Sequence, residues 1–145
     1  MTSPEHGGPH LPEVFEIFIG SSRRDSYGAW WDGGFVIYES FGPDFNSCEQ
    51  LVLTPSRAQW DRFWRSVDEI GVWRWETRYR QVGRFEPDGL SGTATQWSVA
   101  LAHGGRKASS SGNGAGPGSA DLDECLDFAA LLEAVSRVLG GRSFV

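Results

Sequence analysis

The chain has 145 residues, a formal charge of −6, 39% hydrophobic and 22% charged residues, and 7 Trp beside 9 Phe. That length supports one domain burying roughly two thirds of its unfolded surface, with aromatic rings carrying much of the core volume. The acidic balance disfavours nucleic acid and anionic membrane surfaces as bulk partners, and no apolar run approaches the ~20 residues a membrane span needs.

The opening "MTSPEHGGPHLPE" has neither the basic nor the apolar region of a signal peptide, so a cytoplasmic protein is expected. Its Pro, Gly and His content predicts a disordered tail over residues 1–12, ahead of a single domain over 13–145. The alternation in "VFEIFIG" sets Phe15, Ile17 and Ile19 on one side and Val14, Glu16 and Phe18 on the other, which predicts a strand. "YGAWWDGGFVIYES" reads as a hairpin turning at "DGG", and "CEQLVLT" as a further strand. Cys48 and Cys125 fall at no metal-ligand spacing; two free thiols are expected, with a single bridge as the alternative.

"TPSRAQWDRFWRSVDEIG" predicts the first helix, with Thr54 as cap, Pro55 at the first position and Gly71 as stop. Trp60, Phe63, Trp64, Val67 and Ile70 recur at helical spacing, leaving Arg57, Asp61, Arg62, Arg65 and Asp68 wet. "GVWRWETRYR" then alternates, predicting a strand with Trp73, Trp75 and Tyr79 inward and Arg74, Arg78 and Arg80 outward. "FEPDGLSG" reads as a turn, "TATQWSVALAH" as a strand, and "HGGRK" as a hairpin into a short polar strand. "SGNGAGPGSAD" reads as a flexible connector, followed by a helix from Leu122 with Leu122, Cys125, Leu126, Ala129, Leu132, Val135 and Leu139 on its apolar face. The order predicts an α+β fold: one two-layer domain with a mainly antiparallel sheet of about six strands and two helices packed on one face.

Trp60, Phe63, Trp73, Trp75, Tyr79, Asp88, Gly89, Trp97, Gly112, Asn113 and Pro117 together make a pattern: a W…Y strand, a DG…W strand, and a Ser/Gly segment with Asn and Pro before a C-terminal helix. In this it resembles a group of small uncharacterised bacterial proteins over roughly residues 50 to 140. The resemblance implies an α+β domain in the bacterial cytoplasm and carries no known activity. The chain departs from the group at "LSGTA" and in the extra glycines of "NGAGPG".

Candidate sites are weighed against plain structural roles. Arg74, Arg78 and Arg80 could present guanidiniums to an anion or RNA, but RNA-binding sheets place aromatics beside the arginines, whereas here rings and charges alternate to opposite faces. His6, His10 and His103 show no ligand spacing, so no metal and no cofactor is implied. A hydrolase-like site over 103–125 would need His103, a serine of residues 109–111 or Cys125, and a carboxylate to converge. Tyr27, Trp30 and Trp31 flank a hairpin turn; adjacent strand residues point opposite ways, so one tryptophan of the pair is expected on the surface. With Asn113 from the Ser/Gly segment, these aromatics and arginines are the candidate binding residues. They point to a small non-catalytic binding or regulatory protein, of an immunity type, acting through a protein partner.

Overall fold

In a computed structural model, which describes residues 8–20, 25–43, 48–80, 95–118 and 122–144, seven strands form one sheet. They are β1 Val14–Gly20, β2 Ser26–Trp31, β3 Val36–Phe41, β4 Cys48–Leu53, β5 Arg78–Arg80, β6 Gln96–His103 and β7 Arg106–Asn113. Two helices, α1 Arg57–Ile70 and α2 Leu126–Val138, pack together over one face. The spatial order is β4-β3-β2-β1-β6-β7-β5, antiparallel throughout except where β5 runs parallel to β7. The α+β class and the one-sided helices agree with expectation, with seven strands where about six were expected. None of the described helices is long and apolar enough to cross a membrane.

Alternation sets the two faces. Phe15, Ile17 and Ile19 of β1 are buried, and their cross-strand neighbours Leu101, Val99, Trp97, Ala29 and Tyr27 share that side. Helix α1 closes over this face with Trp60, Phe63, Trp64 and Val67, as its periodicity predicts. Its start lies later than expected. Ser56, not Thr54, is the N-cap: its Oγ accepts from Gln59 N at 3.1 Å while Gln59 Oε1 accepts from Ser56 N at 2.7 Å. Both ends of this capping box satisfy amides the first helical turn leaves open. Ser56→Ala is expected to cost about 1 kcal/mol in urea unfolding, and Thr54→Ala close to nothing; equal losses at the two positions would refute the assignment.

The stretch after α1 departs most from expectation. Gly71, at φ 82°, ends the helix in the left-handed region, and Val72–Arg74 then form a single 3₁₀ turn rather than a strand. Trp73 and Trp75 therefore do not share a strand face. Trp73 stacks on Trp64 at 6.2 Å, donates its indole N–H to Asp68 Oδ1 and lies under the Arg106 guanidinium, which itself pairs with Asp68 at 2.6 Å. Only Arg78–Arg80 is strand, in register with Ser111–Asn113. The predicted turn at Asp88–Gly89 lies outside the described residues.

Three further expectations are corrected. Within the predicted tail, His10 and Pro12 are buried: the His10 carbonyl accepts from Trp64 Nε1 at 2.7 Å, and Pro9 O lies 2.6 Å from His103 Nε2. A carbonyl can only accept, so that ring nitrogen carries the proton. The supposed connector is packed through Pro117: Ser111–Asn113 belong to β7, and the Ala115 carbonyl, buried, accepts from Trp97 Nε1 at 2.9 Å. The predicted apolar face holds at Leu122, Cys125, Val135 and Leu139, which are buried, but α2 buries Phe128, Leu131, Ala134 and Val138 as well and leaves Leu126 84% exposed. A separate 3₁₀ turn, Leu122–Glu124, precedes it and ends at Cys125, so the helical phase begins anew there. Both cysteines are free thiols, Cys48 exposed and Cys125 buried.

Candidate functional site

With both helices on one side, the opposite face of the sheet has no helix over it among the described residues. Strand register lays its residues out in rows. Val52, Ile37, Trp30, Glu16, Ala100 and Ser109 form one row across six strands, from β4 to β7. The next runs Gln50, Glu39, Gly28, Phe18, Ser98, Ser111 and Arg78. Half of this face, under β4 to β1, is therefore aliphatic and aromatic with two acids; the other half is serine-rich with Lys107 and Arg78.

Trp30 and Phe18 are half-buried and both lie over Gly28: each ring comes within 3.9 Å of the point where a Gly28 side chain would start. The aromatic ridge continues into more open aliphatic surface. Val52 is 60% exposed, and Phe35, at the hairpin turn, 50%. Glu39 accepts from Gln50 Nε2 at 2.7 Å, which holds one carboxylate beside the ridge.

The candidates from sequence separate accordingly. Trp30 points outward; its neighbour Trp31 points inward and meets Trp60 edge-on at 5.9 Å. Arg78 is exposed on the open face, Arg80 stands opposite Asn113, and Arg74 is exposed on the 3₁₀ turn, so no three-arginine stripe exists. Asn113 ends β7 with its Oδ1 buried and lacking a hydrogen bond among the described residues. Tyr27 is not a surface ring: it is 9% exposed and packs against Phe144 at 5.7 Å.

The residues proposed for a hydrolase-like site are not brought together. His103 stacks flat on Trp64 at 4.1 Å, beside the β6–β7 turn. Ser110 is buried and donates to Glu76 O at 2.5 Å, and Cys125 donates to Pro117 O at 2.7 Å. Burial pushes the Cys125 thiol pKa up, the reverse of what a thiolate nucleophile needs. Cys125 lies beside Gly116, past the far end of β7, about 20 Å from the hairpin turn at the rise of an extended strand.

A second concavity was not legible beforehand. After α2 the chain turns back at Gly140 and Gly141 and lays Phe144 against Tyr27 and Tyr38. This opens a cleft of about 570 Å³ lined by Asp25, Tyr27, Tyr38, Glu49, Arg142 and Ser143 among others. Tyr38 donates its hydroxyl proton to Ser143 O at 2.7 Å. Burial, then Asp25, raises the Tyr27 pKa. Burial, Tyr27 and Glu49 raise that of Tyr38 against smaller opposing effects of Ser40 and Arg142, so both phenols stay protonated near neutrality. The one sequence signal was an apolar Phe144 beyond a Gly-Gly pair. Comparisons of the chain with protein-family models, curated proteins and solved structures find no match.

Proposed function

We propose that this chain is a small, non-catalytic cytoplasmic binding or regulatory protein, of an immunity type, that engages a protein partner through the β1–β4 half of its open sheet face. One observation carries the reading: Phe18, Trp30, Ile37 and Val52 lie together across four strands with no described helix over them. Glu16 and Glu39 border this patch, Asp32 is exposed at its end, and the whole chain carries −6. The complementary partner presents an apolar surface rimmed by Lys and Arg, which the acidic field also steers into contact. A tryptophan at the centre of such a patch is the residue type that dominates interface energies.

The test compares capture of proteins from a bacterial lysate by the wild-type chain, Trp30→Ala and Arg74→Ala. Expected is a basic protein retained by the wild type and by Arg74→Ala, with affinity falling about 30-fold or more for Trp30→Ala, the effect of losing a 2 kcal/mol hot spot. An unchanged set of captured proteins with Trp30→Ala would exclude this face as the binding surface.

A further inference from the structure

We infer that the cleft between the β2–β4 strand ends and the returning C-terminal segment is a binding site for a small zwitterion of the amino-acid or dipeptide class. This surface is separate from the open sheet face. Tyr27 and Tyr38 belong to the helix-covered side, as do their register partners Ile19 and Ala29.

The argument begins at Tyr27. The residue is nine-tenths buried and its ring is held by Phe144, yet its hydroxyl lines the cleft with no hydrogen-bond partner among the described residues. A phenol hydroxyl lining a cleft can give its proton to a ligand oxygen in place of water. Tyr38 presents the opposite polarity. Its proton is already given to Ser143 O, so its oxygen offers lone pairs only.

The charges around the two phenols follow the same division. Asp25 and Glu49 carboxylates and the Arg142 guanidinium line the cleft, and none of the three forms an ion pair among the described residues. Among the described lining residues the balance, two negative charges against one positive, disfavours a simple anion. A simple cation would leave Arg142 and the Tyr27 hydroxyl unused. A zwitterion satisfies both sets: its carboxylate accepts from Arg142, in the paired geometry guanidinium favours, and from Tyr27, while its ammonium donates to Asp25, Glu49 and the Tyr38 oxygen. With about 570 Å³ available the cleft has room for a side chain or a second residue.

Titration calorimetry with alanyl-leucine, its N-acetyl derivative and its C-terminal amide distinguishes the alternatives. The free dipeptide is expected to bind, and blocking either end to weaken binding about tenfold or more, as loss of a charge-assisted contact does. Tyr27→Phe, which keeps the ring against Phe144, and Arg142→Gln, at an exposed position, are each expected to weaken it by about the same factor. Near-ultraviolet circular dichroism reports whether Tyr27→Phe retains native packing; the Arg142→Gln result stands on its own if it does not. No heat or chemical-shift change at about 10 mM dipeptide, weaker than any affinity worth the contacts described, would overturn the proposal. So would equal binding of the blocked derivatives, or full binding by Arg142→Gln.

Discussion

Replacing Gly112 by alanine is expected to destabilise the protein by about 3 kcal/mol, at the upper end of overpacking penalties because a buried hydrogen bond is lost with it. A methyl group there would lie 2.6 Å from Trp97 Cε2 and inside the contact distance of both partners in the Trp97 Nε1 to Ala115 O bond. Neither side can yield easily. Trp97 is 2% exposed and held by Phe128 at 4.8 Å, Trp75 at 5.9 Å and Tyr79 at 6.0 Å, while Ala115 is backbone. Gly112 also pairs with Tyr79, so displacement would carry into β5. Thermal unfolding should show a fall of roughly 10 °C, with Ser109→Ala, on the open face of the same strand, within about 0.5 kcal/mol of wild type. A loss at Gly112 no larger than that control would mean the close approach is not structural.

Truncating Trp60 should have the largest effect of any single core substitution, a loss of about 3–5 kcal/mol for Trp60→Ala. The residue is 0% exposed and meets four rings: Phe15 at 5.3 Å, Trp31 and Trp64 at 5.9 Å, and Phe63 at 6.0 Å. Its indole N–H is buried without a hydrogen-bond partner among the described residues, so shape rather than polar contact holds it. Trp60→Phe, which removes that unsatisfied donor along with part of the ring, is therefore expected to lose less than half as much as alanine. Urea unfolding midpoints at constant m-value measure both. Equal losses for Phe and Ala would show that the N–H has a partner after all. Since whole domains of this kind are stable by only about 5–15 kcal/mol, Trp60→Ala is also expected to reduce soluble yield.

The spacing of Trp60, Phe63, Trp64 and Val67 made α1 legible, because a 14-residue helix with one dry stripe has a period no strand can mimic. Trp73 and Trp75 misled for a related reason. Alternation over a few residues fits a strand, but it also fits a helix stop followed by one 3₁₀ turn, and Gly71 allowed that path. In α2 the first apolar residues belong to a separate turn, so extending their spacing selected Leu126 and missed Phe128. At the candidate sites, adjacency alone required Trp30 and Trp31 to diverge. Which one faces outward followed only from pairing β2 between β1 and β3.

What the sequence by itself determined is local: which segments alternate, where α1 runs and stops, that the strands pair antiparallel, and that two amphipathic helices must share a face. These follow from periodicity and from backbone preferences acting over a few residues. What only the tertiary structure decided is long-range: the parallel seat of β5 on β7, the burial of His10 beneath Trp64, the packing of the Gly-rich segment, and the return of Phe144 onto Tyr27 and Tyr38. Each joins segments at least 30 residues apart or depends on one that does, and such pairings are chosen by what surface remains to be covered once the helices have docked. Among the described residues, the open face and the cleft are places that covering did not reach.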